Sequence, residues 1–534
     1  AMRRSAEIGH TLSQGGAIAI PRLLMVPLLL GLLHGCASVG PDYQEPESTT
    51  PDQWHQDLEQ GLAGGEADYR TWWESLNDPV LDGLIERATE SNLDLRIAFA
   101  RIKEARARLG IQTGRRWPDL NANGAMQRER VSDGVADPMV PPQSRTDTFR
   151  SIGVDGSWEV DFWGRVRRSI ESAGADYDAT VESYRDVLVT LYAEVARNYI
   201  SVRTLQERIR LALENVRTQR GTLELVTVRE RVGLVPKLDI RQAELNLATS
   251  ESIVPELDVK RIAAINRLSV LLGEPPGALH AELEAPKPIP GPPEQAPVGL
   301  PGELVRNRPD LRRAERDLAA KTARIGVATA ELYPQFSISG VFNYDTFIGS
   351  QFDRGRRSFT IGPFFSWNLF DGGRVRSLID VQDALAERSL QNYEQTLLAA
   401  LEDVENAMTG FARERVRQEA LDRSVVAAQE SVRLVKIQYF EGLTNFQNVL
   451  DMERSLFRQQ DLEAESEGRV SQNLVRIYRS LGGGWDANAP AGPVKNLQAA
   501  SAGKPGKAAG ISAQPASNLG DAREGQVVKV SATR

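Results

Sequence analysis

Four short segments alternate apolar and polar residues with the period of two that an extended strand requires. In the second, Ile152, Val154, Gly156, Trp158, Val160 and Phe162 fall on one face, and Ser151, Gly153, Asp155, Ser157, Glu159 and Asp161 on the other. The fourth repeats the pattern with Phe359, Ile361, Pro363, Phe365, Trp367 and Leu369, running to Phe370. Phe336, Ile338, Gly340, Phe342 and Tyr344 line the apolar face of the third; Leu120, Ala122, Gly124 and Met126 line a weaker first. Any half-buried antiparallel sheet alternates in this way. These segments are in addition about the 9 to 11 residues that cross a bilayer as a tilted strand, with aromatics on the apolar face. An open sheet in lipid leaves its edge backbone groups unsatisfied, and four strands are too few to close a barrel. The pattern therefore predicts oligomerisation: two copies give eight strands and a nearly filled interior, three give twelve and a water-filled lumen.

Between the strands the period changes to that of helices. No proline interrupts the run from Gly164 to Val235, nor that from Phe364 to Ala489. Val181, Tyr184, Leu188, Leu191, Val195, Asn198, Val202, Leu205, Ile209, Ala212 and Val216 recur at the three-four spacing of a coiled-coil seam. At ~1.5 Å per residue, Arg167 to Glu230 makes a rod on the order of 95 Å. Charged residues along its whole length predict a solvated rod. A fibrous coiled-coil scaffold would show the same helices. The junctions weigh against it, because Trp158 to Gly164 and Trp367 to Gly373 carry strand directly into helix, with glycine where the backbone must change direction.

The chain is an internal repeat. Trp158 to Gly273 overlays ungapped on Trp367 to Gly482 at an offset of 209, and upstream Asp94-Leu95-Arg96, Gly110 and Pro118 meet Asp310-Leu311-Arg312, Gly326 and Pro334 at an offset of 216. This divides the chain into repeat 1 at 78–273, a proline-rich linker at 274–301 and repeat 2 at 302–485. Each repeat comprises helix, strand hairpin, long helix and returning helix, the first helix running from Asp78 to about Gly114. Residues 36–77 read as an N-terminal strap with Trp54, Trp72 and Trp73 as docking points, and residues 486–534 as a low-complexity, disordered tail. Arg231 to Pro236 and Phe440 to Asn445 turn the long helices back, Gly233 and Gly442 serving as left-handed caps. Those turns lie at the end opposite the strands, where Leu234 and Leu443 form either plain caps or a docking rim. Asp451 has no carboxylate counterpart in the first half, where Gln242 takes its place.

A formal charge of −8 and a pI near 5.5 give no reason to expect a nucleic-acid partner. The four histidines, His10, His34, His55 and His280, form no metal spacing or nucleophile pair, so neither a cofactor nor an enzyme is expected. Arg3, Arg4 and Arg22 precede the apolar run Leu23 to Leu33, and residues 1–35 read as a signal peptide. It ends at Cys36, the only cysteine, so no disulfide can form within the chain. Leu33-His34-Gly35-Cys36 resembles the bacterial lipoprotein box, in which the cysteine is acylated; His34 stands where a small or aliphatic residue is usual.

Together the lipoprotein box, Val39-Gly40-Pro41-Asp42-Tyr43, Asp161-Phe162-Trp163-Gly164-Arg165-Val166-Arg167, Arg308-Pro309-Asp310-Leu311-Arg312, Ala323-Arg324-Ile325-Gly326-Val327-Ala328 and Asn368-Leu369-Phe370-Asp371-Gly372-Gly373 resemble the outer-membrane efflux factors. The resemblance runs from about residue 33 to 485 and is greatest to the NodT-like lipoprotein channels of resistance-nodulation-division pumps. It implies an α+β membrane protein, lipid-anchored in the outer membrane. Three copies would form a homotrimer with a twelve-stranded β-barrel continuous with a periplasmic α-barrel. It also implies a periplasmic adaptor and an inner-membrane pump as partners, the adaptor meeting Val232-Gly233-Leu234 and Gly442-Leu443-Thr444. Within Val449-Leu450-Asp451-Met452-Glu453-Arg454, Asp451 would form an acidic gate ring, with Arg454 able to pair with it. Gln447 stands where a relative has an apolar constriction residue. Metal or protein export would use the same architecture, and a structural envelope lipoprotein is the reading from another class, one that leaves the amphipathic strands unexplained.

Overall fold

The computed structural model describes residues 38–47, 50–65, 68–130, 146–348, 356–486, 489 and 491–492. The expected signal peptide, Cys36 and nearly all of the expected tail lie outside the described residues. Ala1–Ala491 make up one compact unit and Gly492–Arg534 a second, of which Gly492 alone is described. All that follows concerns the first.

In chain order its elements are β1 (Leu62–Gly64), α1 (Pro79–Ser91), α2 (Leu93–Gly114), β2 (Asp119–Arg130), β3 (Thr146–Val160), α3 (Arg165–Arg231), α4 (Lys237–Leu271), β4 (Ala296–Val298), α5 (Pro309–Ala330), β5 (Gln335–Ile348), β6 (Arg356–Ser366), α6 (Arg374–Phe440) and α7 (Phe446–Ser480), with single helical turns between some of them. Helices α2 and α5 have 22 residues each, α3 and α6 have 67, and α4 and α7 have 35. Their bounds differ by the two offsets read from the sequence. At ~1.5 Å per residue the long helices extend about 100 Å. Among the described residues no helix is long and apolar enough to cross a membrane.

Strands β2, β3, β5 and β6 form one antiparallel sheet in that order. Its register pairs Leu120 with Gly156, Val154 with Phe342, Trp158 with Ile338, and Phe336 with Phe365. Directly opposed residues share a face, so the apolar positions of all four strands lie on one side of the sheet. That side is uncovered: Leu120, Ile152, Phe342, Phe359 and Ile361 are all exposed. On the other face the Asn121 and Asn123 amides donate to the Asp155 carboxylate at 3.3 and 2.7 Å. Among the described residues the outer edges of β2 and β6 have no strand partner.

Two expected strand ends shift. Strand β3 stops at Val160, before Phe162, because Asp161 turns to receive the Val166 and Arg167 N–H groups at 3.0 and 2.9 Å and opens α3. Strand β6 stops at Ser366, before Phe370, because its partner β5 begins at Gln335, directly opposite Ser366; Trp367, Leu369 and Phe370 are all exposed. The junctions are otherwise alike. Gly164 and Gly373 precede α3 and α6 at φ 82° and 90°, a backbone region closed to most side chains. The indole N–H groups of Trp158 and Trp367 donate to the carbonyls of Arg116 and Leu332 at 3.0 and 3.1 Å, tying each strand to the end of the preceding helix.

The expected helix from Asp78 to Gly114 is two helices. Asn92 breaks it by accepting from the Leu95 N–H at 2.9 Å while donating to the Leu271 carbonyl at 2.8 Å. Halfway along α3 the burial is wider than one seam: Leu191, Tyr192, Val195, Tyr199, Ile200 and Val202 are all covered. Several elements pack around the rod there. Trp72 stacks on Tyr478 at 5.4 Å, Trp73 meets Tyr192 at 4.8 Å, and the Trp54 indole donates to the Gly299 carbonyl at 2.6 Å. The fully buried Arg203 donates to Gln206 and to the Ala285 carbonyl, fixing the linker to the rod. Strand β1 of the N-terminal segment pairs in parallel with β4 of the linker.

Close to the sheet, the N-terminal segment is clamped in the seam between α3 and α5. Val39 N–H donates to the Trp163 carbonyl at 3.0 Å, and the Arg168 guanidinium donates to the Val39 and Gly40 carbonyls and to Asp42. A Cβ on Gly326 would lie 2.7 Å from the Val39 carbonyl oxygen.

The far tip as a candidate functional site

At the end remote from the sheet, both long helices close with the same hydrogen-bonded cap. Leu234 N–H reaches back to the Arg229 carbonyl and Gly233 N–H to Glu230; Leu443 reaches Gln438 and Gly442 reaches Tyr439. These are Schellman motifs, and Gly233 and Gly442 take the left-handed position at φ 77° and 73°. The cap projects the following side chain outward: Leu234 is 66% and Leu443 77% exposed, flanked by exposed Val232, Leu238 and Phe440. The four residues expected to form a docking rim thus lie at the two turns, with the two leucines in solvent.

Under that rim a small apolar cluster joins the helix ends: Val226, Ala243, Val435, Tyr439, Phe446, Val449 and Leu450. The Arg229 guanidinium lies 4.8 Å from the Tyr439 ring centre. Burial pushes the Tyr439 hydroxyl above its ordinary pKa.

The three expected gate residues come together on one face of α7. The Gln447 amide donates to Asp451 at 2.9 Å from one turn away, and the Arg454 guanidinium approaches the same carboxylate oxygen at 3.4 Å. With both side chains partly exposed, the ion pair contributes about 0.2–1 kcal/mol. Arg454 makes a shorter bond, 2.6 Å, to Asn246 of α4. It therefore links α7 to the returning helix of the other half.

A second cross-link was not visible in the sequence. Glu453 is only 4% exposed, receives the Lys436 ammonium of α6 at 2.9 Å, and accepts from Thr222 of α3 at 3.2 Å. The repeat aligns it with Glu244, which pairs in solvent with Arg241. Burial by neighbouring helices separates the two glutamates, and local sequence carries no sign of it. Glu453 Oε2, Asn246 Nδ2, Tyr439 Oη and Arg229 Nε are buried without a hydrogen-bond partner, four of the 11 such atoms among the described residues. Each costs about 1–3 kcal/mol. The tip is therefore a junction of two helix pairs, α3/α4 and α6/α7, tied by Arg454–Asn246 and Glu453–Thr222 over an incompletely satisfied core. Among the described residues no group of His, Cys, Asp and Glu could hold a metal.

The family model described as outer membrane efflux protein matches residues 84–274 and 300–483. Nodulation protein T of Rhizobium leguminosarum bv. trifolii is 32% identical over 472 residues, covering 87% of this chain and 98% of that protein. The pyoverdine export outer membrane protein OpmQ of Pseudomonas putida is 31% identical over 480 residues, covering 89% and 100%. The solved outer-membrane channel OprN matches with a TM-score of 0.77 at 34% identity, over 84% of this chain and 100% of that one.

Proposed function

The chain belongs to the outer membrane efflux protein family, and on that premise we propose that it is the outer-membrane channel of a tripartite efflux pump. It acts as a homotrimer, passively conducting small molecules received from a periplasmic adaptor and an inner-membrane pump. The observation that carries the reading is the continuity of the chain. A four-stranded sheet with an uncovered apolar face and two free edges passes through Gly164 and Gly373 directly into helices about 100 Å long. Lipid requires those edges to be paired, and further copies of the chain provide the strands.

Acylated Cys36 anchors the protein. In support, Ser38 to Asp42 are clamped at the strand-to-helix junction, where the membrane surface would lie. Gly233-Leu234 and Gly442-Leu443 dock the adaptor through exposed leucines on rigid caps. Gln447, Asp451 and Arg454 form the gate. Three copies of Asp451 around one axis repel each other and attract cations, while Arg454–Asn246 and Glu453–Thr222 hold the two helix pairs together. Opening spreads the pairs and breaks both ties. An adaptor shifts the equilibrium only by its difference in affinity for the open and closed forms.

Single-channel recording in a planar bilayer tests the gate. The parent trimer is expected to be mostly closed, and both Asp451→Ala and Arg454→Ala to raise its open probability. Unchanged conductance in both variants would remove these residues from the gate.

A further inference from the structure

The two halves of the repeat differ in how they balance charge midway along the rods. In the first half, Arg267 of α4 forms an ion pair with Glu194 of α3. Moving both residues by 209 gives Arg476 of α7 and Asp403 of α6, and there Asp403 receives Arg308 instead, at 3.4 Å. Arg308 stands at the repeat position of Asn92 and keeps its counterpart's tie. Asn92 donates to the Leu271 carbonyl, and Arg308 donates to the equivalent carbonyl of Ser480 at 2.9 Å. A guanidinium has donors to spare, and the remaining ones of Arg308 reach Asp310 and Asp403. Arg476 is thereby left without the carboxylate that its counterpart has.

We propose that Arg476 and Arg479 of α7, together with Arg197 of α3, form an anion-binding site for solutes that bear a carboxylate or phosphate group. The three side chains line one cleft of about 330 Å³ with Gln472 and Asn473, and no carboxylate lines it. All three are exposed, and among the described residues their guanidiniums make neither a hydrogen bond nor an ion pair. The acids of the adjoining cleft are already engaged: Asp186 by Arg313 at 3.7 Å, Asp310 by Arg308 at 2.7 Å, and Asp403 by Arg308. Arginine forks match the paired oxygens of carboxylates and phosphates, so free guanidiniums converging on one cleft select for such groups. The cluster belongs to this seam alone, because Val270 and Asn406 stand where Arg479 and Arg197 would recur.

The cleft opens on the side of the rods away from the N-terminal segment and the linker. On α3, Tyr192 meets Trp73, Tyr199 donates to Asp78 and Arg203 donates to the Ala285 carbonyl, whereas Arg197 lies about half a turn around the helix from all three. On α7, Tyr478 stacks on Trp72 and Ser471 donates to the Pro290 carbonyl, while Arg476 takes the opposite face. In the oligomeric barrel proposed above, segments that wrap the rods lie outside it, so the cleft faces the lumen. Three copies of the cluster then make a basic belt between the sheet and the Asp451 ring, the kind of lining that favours anions. About three turns nearer the tip, Arg208 on the same face of α3 is neutralised by Asp461 of α7 at 2.7 Å, which confines the belt to one level. The inference deepens the channel reading and rests on it only for placing the cleft on the lumen.

Equilibrium dialysis of radiolabelled pyrophosphate against the full-length protein in detergent, at constant ionic strength, tests the site. The parent should bind saturably, and Arg476→Gln combined with Arg479→Gln should weaken binding about tenfold or more. Arg197→Gln, on the other helix, should weaken it several-fold and serves as a second variant should the double one not assemble. Arg267→Gln, which alters only the paired counterpart, should stay within about twofold of the parent. Citrate and inorganic phosphate should both displace the pyrophosphate, and the one that does so at the lower concentration is the preferred oxyanion. No saturable binding by the parent, displacement by neither oxyanion, or an equal loss in Arg267→Gln would each overturn the proposal. A protein that binds pyrophosphate through these arginines yet passes no current in a planar bilayer would overturn the channel reading and leave the site standing.

Discussion

Gly326 and Gly110 hold the same position in two copies of one 22-residue helix, yet their surroundings have little in common. Around Gly326 the N-terminal segment and Arg168 are packed so tightly that a Cβ would lie within 3 Å of both, whereas around Gly110 there is open space. The pair at the junctions repeats this. A Cβ on Gly164 would strike Ser38, and one on Gly373 would meet nothing. A duplicated unit thus keeps its backbone in both halves, while the N-terminal segment seals only the seam where α5 of the second half meets the α3 junction of the first and leaves their counterparts, α2 and the α6 junction, open. The tip shows the same divergence, since Glu453 is buried in a three-helix knot while Glu244 pairs in solvent. Duplication preserves caps and register, which are local. Packing environments are free to differ.

The largest expected difference lies at these two glutamates. Lys436→Met leaves the Glu453 carboxylate buried without its cation and should destabilise the tip by about 3 kcal/mol. Arg241→Met, which frees Glu244 in solvent, should cost under ~1 kcal/mol. Thermal unfolding with limited proteolysis at the tip measures both, and adding Glu453→Gln to Lys436→Met should recover most of the loss. Equal effects for the two single variants would break the comparison.

Next come the helix glycines. Gly110→Ala should be neutral or stabilising by up to ~1 kcal/mol, the ordinary gain inside a helix. Gly326→Ala should instead lose about 1–3 kcal/mol from forced displacement of Val39 and Arg168. A smaller and symmetrical effect is expected at the caps, where Gly233→Ala and Gly442→Ala each place a side chain in the left-handed region at a cost of about 1–2 kcal/mol. Markedly unequal cap penalties would show that the two turns have diverged after all.

The smallest effect concerns pH. Burial pushes the Glu463 carboxyl up to about 7, helped by its hydrogen bond to Asp422 and by Glu467 and Glu207 nearby. The repeat sets Val254 and Leu213 at the positions of Glu463 and Asp422 in the first half, so only the second half carries this pair. The unfolded chain loses this proton near pH 4.5, while the folded chain keeps it until about 7. The contribution to stability is therefore fully present below 4.5 and is lost as pH rises through that window. Glu463→Gln should flatten the fall in melting temperature between pH 4.5 and 7; a slope identical to the parent's would exclude the pair as its source.

Much of this was legible in the residues. Period-two alternation marked the faces of all four strands, and freedom from proline marked the long helices. The spacing of Gly164, Gly233, Gly373 and Gly442 marked each reversal, because a left-handed backbone position is a local requirement that the sequence must meet locally. The approach of Arg454 to Asp451 also followed from their spacing of three along α7, whereas the bond from Gln447 to Asp451 came only with the structure. Asn92 was harder, since an asparagine within a helical pattern breaks it only if its amide finds a partner such as the Leu271 carbonyl, 179 residues away.

Sequence by itself determined the repeat, the alternation of faces and the positions of the caps. These depend on neighbours within a few residues and on backbone torsions that few side chains tolerate. Tertiary structure alone decided that Glu453 is buried and Glu244 is not, that Asn246 receives Arg454, and that Gly326 is filled where Gly110 is empty. Each of those outcomes depends on which distant helix or strand comes to lie alongside, and burial is a property of that arrangement rather than of the residue.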